Sequence, residues 1–402
     1  MKRLILLLLF IFLSFSFAFA ADYGITINQN PEIRGEEDDT DVTYSGGIGP
    51  WLSVSLSEKL DLYLSGSFYM QYKGEEWSFV PELNRFSLSW RPAPGVFLDA
   101  GRIRFSDTLG LVTSGLFDGV SGSLELASTR LSLGAYYTGL LYKDTADICM
   151  TSGDYEGYVK DLDYEDFADT YFASRRVLAA VSWEAPALFG SPHTLSLNGI
   201  AQFDVNDSDD KLNTQYIDLR FLFSPVSGFD LTLGAVIGIA EPEDSDTELN
   251  LAGLVRAGWQ PPTMAQDLIT LGIRWGSGKV SDSIRPFRPV TTVSEGNVLD
   301  AALPGLMVFN AGYTIRPVQT LSLGLEGRYF LRSDLETFSD TWLKDSDERA
   351  IGGELYGSIT WVPVVDISVV LGGGAFFPGL GNALKSDAPA RWKLAMAFVL
   401  SL

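Results

Sequence analysis

Read for the positions of its apolar side chains, the chain alternates. In TLSLGLEGRYF (320–330) Leu321, Leu323, Leu325 and Tyr329 fall on one face, and Ser322, Gly324, Glu326 and Arg328 on the other. The same period of two runs through LDLYLSGSFYM (60–70), TLSLNGIAQFD (194–204), YIDLRFLF (216–223), DLTLGAVIG (230–238), ELNLAGLVRAGW (248–259), LITLGIRW (268–275) and RWKLAMAFVLSL (391–402). A period of two is the mark of β-strands, and it leaves helices almost no room.

Strands of a soluble sandwich or propeller also alternate, so a second signal must say what the apolar face touches. SWRPAPG (89–95) ends one run on a tryptophan and a proline, and the phrase returns as SWEAPA (182–187), FSPVSG (223–228), GWQPPT (258–263), TIRPVQ (314–319) and TWVPVV (360–365). Trp90, Trp183, Phe223, Trp259 and Trp361, with Ile315 in the equivalent place, thus stand at strand ends. Every second connection is short, as at 57–59, 92–95, 128–129 and 316–319, whereas most of the others are long and acidic. A sandwich or propeller predicts neither feature. A barrel in lipid predicts both: tight periplasmic turns, long outer loops, and aromatic girdles where apolar wall meets headgroups. Proline fits because the strand has ended and its missing donor costs nothing.

If these phrases mark periplasmic ends, strands descend near 42–56, 82–91, 118–127, 171–184, 213–224, 248–260, 305–317, 349–363 and 390–402. Ascending strands then fall near 22–30, 60–73, 96–106, 130–143, 193–206, 229–240, 268–278, 320–332 and 366–377, with a bulge expected at Gly101. The expected fold is an all-β, transmembrane, antiparallel up-and-down barrel of 16 to 18 strands, eighteen favoured, with both termini periplasmic.

Composition sharpens this picture at the N-terminus. Lys2 and Arg3 precede an apolar run from Leu4, closed by Ala18-Phe19-Ala20, which reads as a cleaved signal peptide over 1–20 and a single barrel domain over 21–402. No other stretch approaches the roughly 20 apolar residues of a spanning helix. A single cysteine, Cys149, excludes a disulfide scaffold. The formal charge of -22 becomes -24 without Lys2 and Arg3, which argues against a nucleic-acid partner. Mean hydropathy is nonetheless +0.12. The two are reconciled by segregation: segments 31–41, 144–170, 204–211, 241–248 and 333–349 hold 30 of the 51 carboxylates and five basic residues, and read as solvated loops.

In these features the chain resembles the outer-membrane porins, over the whole mature sequence and as pattern rather than shared residues. Its sharpest element is the last strand, where Trp392, Leu394, Met396, Phe398, Leu400 and Leu402 alternate to the end. That is similar to the C-terminal signal read by the barrel assembly machinery, although Leu402 stands where an aromatic is usual. The resemblance implies an outer-membrane location, lipid as a partner, and a water-filled channel for passive diffusion of small hydrophilic solutes or ions. It leaves a homotrimer open, the face of 366–377 with its glycines 372–374 being the candidate contact.

A barrel this wide holds an aqueous channel unless something fills it, and charges at its narrowest point set selectivity. Parity turns Arg85, Asp218, Arg220, Arg256, Arg274, Arg316, Glu326, Arg328 and Glu354 inward, and Arg102 and Arg104 join them subject to the bulge. These either form an arginine-lined constriction for anionic or hydroxylated solutes, or pair as wall charges. The acidic outer segments pull the other way and concentrate cations. Two loops could narrow the bore: 279–304, which brings Arg285 and Arg288, and 107–117, short but apolar. GEEDDTD and NDSDDK lack the spacing of a calcium loop, so no metal or cofactor is expected. The only histidine, His193, falls at the periplasmic end and no carboxylate pair stands out, so an enzyme is not expected. The alternative function is a surface barrel acting as adhesin or receptor through its large acidic loops, above all 144–170.

Overall fold

The computed structural model describes residues 20–402 except 38, 75, 209, 244, 282 and 293; of the expected leader, only Ala20 lies within the described residues. Eighteen strands follow in order: β1 (Ala20–Glu36), β2 (Asp39–Ser57), β3 (Leu60–Lys73), β4 (Glu76–Trp90), β5 (Val96–Ser106), β6 (Ser114–Leu126), β7 (Thr129–Tyr137), β8 (Arg176–Ala185) and β9 (Thr194–Asp204). The second half comprises β10 (Leu212–Val226), β11 (Phe229–Pro242), β12 (Glu248–Trp259), β13 (Leu268–Gly276), β14 (Leu306–Val318), β15 (Leu321–Arg332), β16 (Ala350–Val364), β17 (Ile367–Phe377) and β18 (Arg391–Ser401). Each pairs antiparallel with the next, and β1 pairs with β18, from Thr26 opposite Ser401 to Glu36 opposite Arg391. Closure leaves no sheet edge, which is the condition for crossing a bilayer with strands. No described helix is long and apolar enough to cross one.

Alternation sorts the two faces. Along β10 Ile217 is 60% exposed on the outside, whereas its neighbour Asp218 is fully buried inside. Trp90, Trp259 and Trp361 are about half exposed at the ends of β4, β12 and β16, and Trp183 and Phe223 end the outward faces of β8 and β10. At this end six connections are short (58–59, 91–95, 127–128, 227–228, 319–320, 365–366) and two, 186–193 and 260–267, run to eight residues; the other end carries 138–175, 277–305, 333–349 and 378–390, but also the two-residue connections 37–38 and 74–75.

Segment 31–41 departs from its reading as a loop, since β1 continues to Glu36. Glu32 and Glu36 alternate onto the inner face, where they meet Lys393 at 2.8 Å and Arg391 at 3.2 Å across the closing strand pair. The charge did signal water, but the water is the lumen's.

The expected bulge at Gly101 is also displaced. Register between β5 and β6 runs unshifted from Val96 opposite Leu124 to Ser106 opposite Ser114. The slip falls instead on β4, where Ser65 pairs with Arg85 and the next residue, Gly66, with Leu83. Asn84 is the extra residue.

Apolar packing gathers in the outer mouth, where three connections fold inward. Connection 107–113 is wound round one carboxylate: Asp107 accepts from the backbone N–H groups of Leu109, Leu111, Val112 and Thr113 at 2.8–3.2 Å. Leu109, Leu111 and Val112 are buried with Phe117, Tyr136, Tyr216, Phe287 and Val290. Leu109 reaches the far wall, so that a Cβ at Gly234 would lie 2.3 Å from its Cδ2. Connection 277–305 meets the first loop, Val290 N–H donating to Val112 O at 2.7 Å. Connection 138–175 joins through Thr292 N–H to Asp147 O at 2.9 Å. Its short helices Lys143–Ala146, Ser152–Tyr158 and Phe167–Tyr171 bring Tyr142 and Tyr171 against Val80.

Candidate functional site: the lumen beneath the loops

Below these loops a cavity of ≈ 440 Å³ lies along the inner faces of β10 to β15. Inward positions of β10, β12, β13 and β15 supply Arg220, Arg256, Arg274 and Arg328, while Glu295 enters from connection 277–305 and Glu326 from β15. Cross-strand register sets them side by side: Arg256 opposite Gly272 and Leu254 opposite Arg274, then Asn310 opposite Arg328. Asn310 fills the space over the glycine, a Cβ there lying 2.3 Å from its Oδ1.

Their surroundings differ. Arg328 forks onto Glu326 at 3.0 and 3.1 Å and donates to the Glu295 carbonyl at 2.6 Å. Arg274 meets the Glu295 carboxylate at 3.0 Å. Arg220 lies 3.4 Å from Glu184 and 3.2 Å from Ser196 Oγ. Arg256 is exposed and has no carboxylate within ion-pair distance among the described residues. Three of the four guanidinium groups thus have carboxylate partners, Glu184, Glu295 and Glu326, with Glu354 a further 4.0 Å contact of Arg328, and Arg256 alone is left without one among the described residues, in a site where confined water screens charge less than bulk does.

The remaining residues singled out from the sequence lie elsewhere. Asp218 sits fully buried behind connection 107–113 and accepts the Thr108 hydroxyl bond. Glu354 is buried at 4% exposure and accepts the N–H groups of Asn297, Val298 and Leu299 at 2.7, 2.9 and 2.9 Å. Both are anchors of the narrowing loops rather than lining of the cavity. Arg288 and Arg285 both turn to Glu248 at the top of β12, at 2.9 and 3.6 Å. Arg316 bonds the Gln319 carbonyl at the short turn between β14 and β15, at 2.6 and 3.1 Å. Arg85 projects from the opposite wall, its guanidinium 5.2 Å from the centre of the Tyr63 ring.

Arg102 and Arg104 lie on the outer face of β5, because unshifted register keeps them in phase with the lipid-facing Leu98. Arg102 is nonetheless only 5% exposed. Strands β4 and β5 pair only from Phe86–Arg102 to Trp90–Leu98 and part above that point. Arg102 closes the parting: it forks onto Asp118 at 2.8 and 2.9 Å and caps the carbonyls of Leu83 and Leu140, while Tyr171 Oη donates to Pro81 O at 2.7 Å. Buried carbonyls left without a donor are costly, and here the parted strand edge is supplied with donors by side chains.

Sequence reading missed Asp107, Thr108, Glu248 and Glu295. The only signal available for Asp107 was an acid opening an apolar loop, DTLGLV, where its carboxylate can receive the turn's own N–H groups. Asp204, in the acidic run 204–211, is bound by Arg176 at 3.1 Å. Among the described residues no three His, Cys, Asp or Glu side chains gather as a metal site.

A closed eighteen-stranded barrel with a lipid-facing exterior, a charged interior and inward loops has the architecture of an outer-membrane porin. No family model matches the chain, and no curated protein is similar in sequence. Solved structures do match in shape. OprD from Pseudomonas aeruginosa superposes with a TM-score of 0.60 at 12% identity, over 96% of this chain and 94% of that one. OccK2 (OpdF) of the same organism, solved in complex with glucuronate, gives 0.63 at 12%, over 95% and 98%. OccK5 (OpdH), also from that organism, gives 0.58 at 10%, over 95% and 98%. At such identities the likeness is one of fold.

Proposed function

We propose that this chain is a diffusion channel for small hydrophilic solutes whose arginine wall favours those carrying negative charge. The observation that carries the reading is the convergence of Arg220, Arg256, Arg274 and Arg328 on one cavity beside the narrowing loops, with Arg256 unpaired among the described residues. A carboxylate or phosphate passing there exchanges hydration for guanidinium donors already held in place by Glu295 and Glu326. Partial pairing keeps each contact weak enough for the solute to leave, as conduction requires. The glucuronate bound by OccK2 (OpdF) is a solute of this kind and supports the reading by analogy of fold.

The test is the reversal potential of single channels in a planar bilayer under a salt gradient. An anion-selective sign is expected. A cation-selective sign at moderate ionic strength would show that the acidic outer rim governs instead, and would overturn the arginine reading.

A further inference from the structure

Across the lumen from the arginine wall, the inner faces of β1 to β4 enclose a second, smaller cavity of ≈ 180 Å³. It would hold about six waters at roughly 30 Å³ each. No charged group lines it; Trp51, Tyr63 and Tyr69 supply aromatic surface, and Asn28, Asn84 and Ser65 supply amide and hydroxyl groups. From these contacts we infer that this cavity is a binding subsite for the ring of a polyhydroxylated solute, a pyranose-type sugar.

Three features support a built site. Trp51 lies flat against the wall: its partner across β1 and β2 is Gly24, and a Cβ there would stand 2.7 and 2.8 Å from Cζ2 and Cε2 of the indole. One face of the ring is thus pressed on backbone and the other turns to the lumen. Tyr63 is held from one side by the Arg85 guanidinium. Finally, the bulge that displaces Asn84 from the β4 ladder brings its Oδ1 to 2.8 Å from Ser67 Oγ, so its amide N–H groups remain as donors for the cavity. Aromatic faces accept the C–H side of a sugar ring, and neighbouring amides and hydroxyls take its rim of hydroxyl groups. A flat hydrocarbon would leave those polar groups unpaired, and an open-chain polyol would present no ring face.

The inference deepens the channel reading, since the sugar must enter by the same lumen, so the experiment separates the two. Folded protein in lauryldimethylamine oxide, a detergent without a sugar headgroup, is mixed with methyl glucoside or with mannitol and saturation-transfer NMR is recorded. In parallel, the same solutes are added to single channels. Methyl glucoside is expected to receive saturation on its ring C–H protons and to interrupt the current, and mannitol to do neither at equal concentration. Trp51→Ala should reduce both effects about fivefold or more. Should Trp51→Ala fail to fold, Asn28→Ala should weaken the transfer. Equal behaviour of methyl glucoside and mannitol with the wild type, or full retention of the difference in the variants, overturns the subsite. A protein that opens no channels but still transfers saturation to the glucoside keeps the subsite and loses the channel reading; one that conducts without ring preference does the reverse.

Discussion

If connection 277–305 narrows the lumen, its seating should decide conductance, and the anchor of its 297–299 stretch is one carboxylate. Glu354→Ala removes the acceptor of three backbone N–H bonds, at 2.7, 2.9 and 2.9 Å, in a position only 4% exposed. Hydrogen bonds to a buried charge contribute about 1.5–3 kcal/mol each, but amides freed at the mouth find water, so the set is taken at roughly 2–4 kcal/mol. That is roughly a 30- to 700-fold change in the balance between seated and released loop. Arg328 loses a 4.0 Å contact with Glu354 but keeps its fork on Glu326, and the barrel ladder makes no use of the Glu354 side chain, so folding should survive. Single-channel recording should show a larger and noisier conductance than wild type, with Glu354→Gln intermediate because its amide oxygen still accepts. A folded Glu354→Ala variant with wild-type conductance and wild-type noise would refute the reading of Glu354 as the anchor that decides the loop's seating.

Further expectations rest on other residues. Replacing 281–300 with a short Gly-Ser linker should raise conductance by removing the same obstruction outright; unchanged conductance would show that the loop does not limit flow. Arg256→Gln, which strips the one cavity guanidinium without an ion-pair partner among the described residues, should move the reversal potential toward cations while conductance at high salt changes little. Arg102→Ala leaves Asp118 without its partner and two carbonyls uncapped, a loss of about 3–5 kcal/mol by analogy with broken buried pairs. It should lower the temperature at which the folded band collapses on heated gels, and Arg102→Lys, without the fork, should restore only part of it. The Cys149 thiol is pushed up to about 12 by burial and then by Asp147 and Asp154. Its thiolate fraction at pH 8 is therefore about a thousandfold below that of an ordinary thiol, and maleimide should label it only after unfolding.

The barrel was legible in the sequence because its determinants are local. A period of two says strand, a tryptophan before proline says where the strand leaves the membrane, and alternating connection lengths say which end is which. Arg220, Arg256, Arg274 and Arg328 were legible for the same reason, since parity within one strand suffices to turn them inward. Parity failed where it depended on a slip: Arg102 and Arg104 hung on a bulge at Gly101, whereas the insertion that slips the register is Asn84 on the neighbouring strand. Charge density failed at 31–41, because a hydrated lumen and a hydrated loop draw the same residues.

What alternation cannot carry is contact between segments far apart in the chain. The sequence by itself determined the class of wall, its approximate strand number and the faces of its side chains, all of which follow from near-neighbour sterics and the preference of apolar groups for lipid. Only the tertiary structure decided that Asp218 and Glu354 hold loops rather than line the cavity. It also set Arg85 across from the other arginines, over the ring of Tyr63. Those roles depend on which distant backbone N–H or ring comes within about 3–5 Å after the sheet closes on itself, and that distance is a property of the closed barrel and not of any strand within it.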